Sequence, residues 1–304
     1  MKCFICQEKA FALLGGQHCC RECFTRLIDN RVRKTTSKYR MFSRGDRIVI
    51  GLSGGKDSVV LTKIVSLLAK HHDSDVIAVT IDEGIAGYRD TSIFYAEKIA
   101  SDCNLEHVIV SVKEYYGMDF DSMVKRAKKL PCSLCGPIRR KILNSEARKL
   151  GADVVAVGHN LDDEAQTIIL NWLRGDYKRL VQLAREPVQD HPAFIKRVRP
   201  LCAVQEPEIV LYALANNLEF HDVTCPYAGT ARRNTVREFL SREEEFHPGT
   251  LKGIVNVHDK LKKDIKSLKG NTRVPAIITC ENCGEPAEKS PCSLCRDLAF
   301  LDKE

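Results

Sequence analysis

The chain has 304 residues, 44% of them apolar and 29% charged, with 14 cysteines and a formal charge of +7. No stretch approaches the roughly 20 apolar residues of a membrane span, and the N-terminal MKCFICQEK lacks a signal-peptide core, which points to a cytoplasmic globular protein. Clustered thiols in a reducing compartment indicate metal binding or catalysis rather than disulfides. Four thiolates on each of two zinc ions would lower the charge to about +3, so local basic runs are a better sign of a polyanionic partner than the total.

The first 30 residues hold Cys3, Cys6, Cys19, Cys20 and Cys23. Cys3-x-x-Cys6 with Cys20-x-x-Cys23 has zinc-knuckle spacing, and His18 and Cys19 are near enough to replace one ligand, so residues 1–30 are expected to form a zinc finger. A catalytic domain is expected over 31–270. In it, Arg47–Leu52 reads as a buried strand, followed by the turn SGGKDS and a helix from about Asp57 to His71. Asp75–Asp82 predicts a second strand and Thr91–Cys103 a helix. His107–Val112 predicts a third strand, Asp153–His159 a fourth, and another helix starts near Asp162. Short apolar runs alternating with amphipathic helices imply βαβ units: an α/β fold with a parallel sheet flanked by helices. After about residue 205 the pattern is mostly helical, most clearly in Glu206–Asn217 and Thr250–Lys269. Over 271–304, Cys280-x-x-Cys283 and Cys292-x-x-Cys295 spell a zinc ribbon, a segment too small to fold without metal. Cys103 and Cys202 read as buried structural thiols.

Ligands of open parallel sheets sit at the carboxyl ends of the strands, here the residues after Leu52, Ile81 and Val157. Ser53, Gly54, Gly55, Lys56, Asp57 and Ser58 join a strand to a helix. The two glycines let the backbone approach a phosphate, and the helix start offers free N–H groups and a positive dipole end. Ser53 and Ser58 add hydroxyls, and Lys56 adds charge. Asp57 suits either a helix cap or Mg²⁺ beside a pyrophosphate. Ile81 and Asp82 end the second strand, where such folds receive adenine and ribose; Gly158 and His159 follow the fourth. Asp162 and Asp163 open a helix and suit either capping or Mg²⁺ and proton handling. The hexapeptide resembles the PP-loop of ATP pyrophosphatases, of adenine nucleotide alpha-hydrolase-like fold, and the Walker spacing GxxxxGK[ST] is absent. That resemblance implies ATP cleavage between the α and β phosphates: a substrate oxygen attacks the α-phosphate, pyrophosphate leaves, and AMP becomes the later leaving group.

Cys132 and Cys135 occupy PCSLCG, read as a loop ahead of a basic helix, and Cys225 stands in TCPY. By spacing alone the pair suits zinc, disulfide exchange or part of an iron–sulfur cluster, and Cys225 suits a buried thiol. SGGKDS, IDEGIAGYRD, PCSLCG, GHNLDDEAQ and TCPY, flanked by the terminal zinc motifs, resemble over essentially the whole chain the tRNA 2-thiouridine synthetases of the TtuA and Ncs/Ctu type. IDEGIAGYRD is nearer to the archaeal and eukaryotic wobble-uridine branch. The resemblance implies adenylation of a uridine C2 oxygen, at position 34 or alternatively 54, and its replacement by sulfur. It implies a [4Fe–4S] cluster on Cys132, Cys135 and Cys225 with one iron open to hydrosulfide; a persulfide on Cys132 or Cys225 is the rival route. It further implies tRNA as partner, a ubiquitin-like sulfur carrier as donor, and a homodimer. Some members have a lysine where this chain has Arg139. Arginine cannot act as a base, so Arg139 is expected to clamp phosphate or stabilise charge.

Residues 21–47 contain nine Lys/Arg against three Asp/Glu. Lys125, Arg126, Lys128 and Lys129 precede the C-x-x-C pair, Arg139–Lys141 follow it, and Arg232, Arg233 and Arg237 follow Cys225. Such runs suit nucleic-acid phosphates. Two other readings compete: a different PP-loop enzyme, either a cytidine thiolase or an amidating ligase, and a non-catalytic zinc-ribbon RNA-binding protein. Zinc knuckles and basic flanks oppose a small substrate. The intact SGGKDS and three separated cysteines oppose a mere binder.

Overall fold

A five-stranded parallel sheet organises the computed structural model, which describes residues 1–127, 129–183, 194–230, 233–269 and 277–299. A hairpin of β1 (Ala12–Leu14) and β2 (Gln17–Cys19) leads into α1 (Arg21–Lys38). Then follow β3 (Arg47–Gly51), α2 (Lys56–His72), β4 (Asp75–Asp82), α3 (Arg89–Asp102) and β5 (Glu106–Ser111). Two short helices, α4 (Val112–Tyr116) and α5 (Phe120–Arg126), precede the long α6 (Pro131–Lys149). The sheet resumes with β6 (Val154–Ala156), α7 (Leu161–Leu173), α8 (Tyr177–Gln182), β7 (Lys196–Val198) and α9 (Glu206–Ala215). A 3₁₀ turn at Ala228–Thr230, α10 (Arg233–Phe246) and α11 (Thr250–Lys269) come next. The hairpin β8 (Ile278–Thr279) and β9 (Pro286–Ala287) with α12 (Ser293–Asp297) forms the C-terminal module.

Strand order is β5-β4-β3-β6-β7. Side chains alternate across a strand, and both faces of β3 are covered: Ile48 and Ile50 enter a core with α1, α2 and α9, whereas Val49 enters one with α6. That two-sided burial is why Arg47–Gly51 is a continuous apolar run. The chain steps outward through β4 and β5, then returns to lay β6 on the opposite side of β3. The switch point, where a ligand crevice opens, therefore lies between the carboxyl ends of β3 and β6.

The structure departs from the sequence reading in four places. The C-x-x-C pair is in the first turns of α6 rather than in a loop ahead of it, because Pro131 at the first helical position has its φ already set for a helix. The fourth strand spans only Val154–Ala156, and the fifth, β7, was not foreseen. Helix α1 runs through residue 30, so the start of the helix carries Cys23 while Ile28 and Val32 enter the main core. Lys128, Arg232 and the boundary expected near 271 lie outside the described residues. Among the described residues no helix is long and apolar enough to cross a membrane.

Candidate functional site

The nucleotide loop leaves β3 and turns into α2. Gly54 has φ +81°, and a Cβ there would stand 1.8 Å from the Ser92 carbonyl oxygen of α3. Ser58 braces the loop: its Oγ accepts from Ser53 N–H at 3.1 Å and donates to the Gly55 carbonyl at 2.9 Å. Gly55 is the N-cap and brings no side-chain cap to α2, which leaves the helix start free for an anion. Lys56 Nζ lies 2.7 Å from Glu206 and 3.0 Å from Asp57. Burial works against its charge, but those two carboxylates hold its pKa above the ordinary lysine value. Burial raises the Asp57 pKa, although Lys56 and Asn160 both stabilise its anion.

The β6–α7 loop packs against this helix start. A Cβ on Gly158 would lie 3.1 Å from the Asp57 carbonyl carbon. Asn160 Nδ2 donates to Asp57 Oδ1 at 2.8 Å, and the same side chain caps α7 through a reciprocal pair of bonds with Asp163. Asp163 is also paired with Arg233 at 2.8 Å. Asp162 Oδ2 accepts from the Glu206 N–H at 2.8 Å and so holds the start of α9. Both acidic residues thus make helix-end bonds, which fits the capping alternative. At the end of β4, Asp82 accepts from Gly84 N–H at 2.8 Å, and Ile81 O accepts from Arg89. The protein around His159, then Arg199, Arg233 and Arg197, lowers its imidazole pKa against the pull of Asp163, although the ring itself reaches solvent.

Burial pushes Asp162 up to about 6. A carboxyl with a folded pKa above its unfolded value of about 3.9 stabilises the fold below about pH 4, and that contribution is lost as pH rises through about 6. Asp162→Asn retains an acceptor for Glu206 but cannot ionise. Its stability relative to the parent is expected to improve by up to about 2 kcal/mol between pH 4 and pH 7, read from urea midpoints. A difference that does not vary with pH would contradict this assignment.

Cys132 and Cys135 project from the first turns of α6. Cys225 comes from the segment that follows α9, and that segment is pinned to the nucleotide loop: His221 N–H donates to Gly54 O at 2.9 Å, and His221 forms a parallel bridge with Gly55. The His221 ring packs on Tyr88 at 4.8 Å. Cys132 Sγ donates to Tyr227 O at 3.6 Å. Burial, and then the charge on Cys225, raise the Cys132 thiol. Burial pushes Cys135 up to about 11, with Glu83, Cys225 and Cys132 adding to the rise and Arg139 opposing it. Arg139, expected at phosphate or at developing charge, lies against Glu83 at 3.1 Å and within electrostatic reach of Cys135. Glu83 is 3% exposed and is also held by Arg89 at 2.7 Å. Asn160, Glu206, Glu83, Arg89 and His221 were not singled out from sequence, because their partners are distant in the chain.

The terminal cysteines form two sets, Cys3, Cys6, Cys20, Cys23 and Cys280, Cys283, Cys292, Cys295, each with its sulfurs within 4.8 Å of one another. Sulfur pairs stand at 3.5 and 3.7 Å in the first set and 3.9 Å in the second. Metal–sulfur bonds of about 2.3 Å give tetrahedral edges of about 3.8 Å, so both sets suit one tetrahedral ion. Backbone N–H groups donate to Cys20, Cys280 and Cys292, and at Cys280, against the effect of burial, such bonds hold the thiol down to about 6. Cys20 completes the first set, while Cys19 is buried in the core and Cys202 with it. The sulfurs of Cys132, Cys135 and Cys225, unlike those of the two terminal sets, do not all lie within 4.8 Å of one another.

Residues 25–244 match the family described as PP-loop domain. The chain is 35% identical to a probable sulfurtransferase of Methanocaldococcus jannaschii, over 97% of this chain and 87% of that protein. It is 35% identical to the tRNA 2-thiolation protein NcsA of Haloferax volcanii, over 99% of both. The solved U34-tRNA thiolase NcsA from Methanococcus maripaludis, with its [4Fe-4S] cluster, superposes with TM-score 0.83 at 34% identity, covering 98% of this chain and 95% of that one. A nucleotide loop at the β3–β6 switch point, a thiol trio beside it and a cysteine quartet at each end thus accompany matches over nearly the full chain, and the chain belongs to the PP-loop family, among its tRNA 2-thiolation members.

Proposed function

We propose that the chain is an ATP-dependent tRNA-uridine 2-sulfurtransferase acting at wobble position 34. The observation that carries this reading is the backbone bond from His221 to Gly54, which joins the segment bearing Cys225 to the phosphate-binding loop. The likeness to a solved U34-tRNA thiolase favours position 34 over 54 and over a cytidine.

Ser53, Gly54, Gly55, Lys56 and Ser58 with the start of α2 receive the triphosphate, Ile81 and Asp82 face the adenosine, and Gly158 and His159 close the other wall. Mg²⁺ fits at Asp57, a hard oxygen ligand at the phosphates, with nucleotide oxygens completing its shell. The uridine O2 attacks the α-phosphorus, the bond to pyrophosphate breaks, and C2 then carries AMP as a leaving group. A hydrosulfide-level sulfur adds to C2; the C2–O bond breaks, AMP departs, and loss of the sulfur-borne proton leaves C2=S. Cys132, Cys135 and Cys225 would hold the [4Fe–4S] cluster, which supplies an iron lacking a protein ligand and therefore open to a sulfur donor. Arg139, fixed by Glu83 and within electrostatic reach of Cys135, places a permanent cation beside the thiols. Zinc occupies the two terminal sets in this reading. A ubiquitin-like sulfur carrier, a homodimer and a cytoplasmic location belong to it through the family resemblance.

The test is an anaerobic reaction of iron-loaded protein with ATP, Mg²⁺, sulfide and unmodified tRNA, followed by nucleoside mass spectrometry. The expected result is 2-thiouridine, AMP and pyrophosphate, with the thionucleoside lost when position 34 is changed and kept when position 54 is changed. The reverse pattern, or a thiolated cytidine, would overturn the assignment.

A further inference from the structure

We propose that a basic groove between α6, β7 and the C-terminal module carries the phosphate backbone of the RNA substrate away from the thiol centre, with Arg140 and Arg197 as its principal phosphate contacts. This deepens the reading of the chain as a tRNA-modifying enzyme and rests on it.

The groove encloses about 760 Å³, and its walls present Arg140, Lys141, Arg179, Arg197, Lys289 and Arg296 against two acids, Glu285 and Glu288. Glu285 is already engaged by Arg148 at 2.5 Å. The cations differ sharply in how their charge is answered. Arg199 pairs with Glu164 at 2.7 Å, Arg179 with Asp176 at 3.2 Å and Arg233 with Asp163 at 2.8 Å. Arg140 and Arg197 meet no carboxylate among the described residues. Instead Arg197 is crowded by like charge: burial, then the nearby Arg140 and Arg199, bring it down to about 10. Unpaired guanidinium groups crowded together are unfavourable until an anion joins them.

The position of the groove selects the kind of anion. Arg140 lies five residues beyond Cys135 on α6, about 7.5 Å along the helix axis, and the two are close enough to interact electrostatically. A uridine delivered to the thiols must have its flanking phosphates leave over an adjoining surface, and this groove adjoins them. Its cations come from α6, α8, β7 and both parts of the C-terminal module, which describes a track rather than a pocket for one small ion. Guanidinium forks match phosphate oxygens bidentately.

The test uses the full-length metal-loaded protein and unmodified tRNA, with affinity measured by fluorescence anisotropy across a KCl series. Iron absorbance and ATP affinity check that each variant is intact. Each phosphate contact contributes about 0.7–0.9 to the slope of log affinity against log salt. Arg140→Gln and Arg197→Gln should each weaken binding several-fold and flatten the slope by about that amount, and the double variant by about twice it. Because Arg197 is half-buried and its variant could misfold, Arg140→Gln with Lys289→Gln, both at exposed positions, provides a second route to the same slope. Intact variants with the parental affinity and slope would overturn the groove assignment and leave tRNA as the substrate. A parent protein without salt-dependent tRNA binding would overturn both. Variants that bind tRNA normally but lose only turnover supported by a protein-borne sulfur donor would reassign the groove to an acidic carrier protein and overturn this proposal.

Discussion

Replacing Cys225 with serine is expected to reduce 2-thiolation to background and to remove the iron–sulfur absorbance, while ATP affinity stays within about twofold of the parent. The thiol is half-buried and lies within electrostatic reach of Cys132 and Cys135. A hydroxyl is of similar size but is a hard ligand and seldom ionises, so it is a poor substitute at a site suited to iron and sulfur. The nucleotide loop should be spared, because its link to this segment is a backbone bond at His221 rather than any atom of Cys225. Absorbance spectra, nucleoside mass spectrometry and calorimetric ATP titration read the three quantities separately. Retained thiolation would dismiss the three-thiol assignment. Loss of ATP binding would mean that the segment acts on the loop through its side chains.

Gly54→Ala should cost both ATP binding and stability. At φ +81° any side chain carries a left-handed penalty of about 1–2 kcal/mol. The larger cost is the overlap: the new Cβ would lie 1.8 Å from the Ser92 oxygen and 2.7 Å from its carbonyl carbon, both backbone atoms of α3 that cannot swing aside. The loop must move, and its anion site moves with it. ATP affinity should fall at least about a hundredfold, as expected for a phosphate site displaced by an ångström or more. Gly87→Ala is the internal control, with φ +68° but nothing within 4 Å of the added carbon. It should show only the conformational cost, near 1 kcal/mol, and unchanged ATP affinity. Equal losses in the two variants would show that the contact with α3 is unimportant.

These two sites also mark how far the sequence could be read. The run Arg47–Gly51 and the SGGKDS turn were legible because a strand buried on both faces must be continuously apolar and a phosphate loop must be glycine-rich. Gly54 was legible as a glycine but not for its full reason, since Ser92 lies 38 residues further along and nothing local signals the contact. β7 went unread because it has three residues, two of them cationic, with only Val198 buried. The C-x-x-C pair was misplaced in a loop because Pro131 ends one element and starts another equally well. In the N-terminal cysteine set, Cys20 rather than His18 or Cys19 was decided by geometry: β2 and the start of α1 turn Cys19 into the core and Cys20 toward Cys6. Asp162 and Asp163 were open in sequence to capping or to Mg²⁺ and proton handling, because the bonds they make come from Glu206, Asn160 and Arg233, distant or unmarked in the chain. The cysteine spacings carried most of the chemistry, because metal ligation restricts residue type and interval more tightly than packing does.

The bond between His221 and Gly54 sets a length as well as a link. Cys225 stands four residues beyond the anchored amide, and four extended residues span at most about 14 Å. The stretch is therefore a ruler that limits how far the third thiol can stand from the phosphate loop. In the proposed reaction a single pyrimidine ring has to meet both the nucleotide and the sulfur within that span.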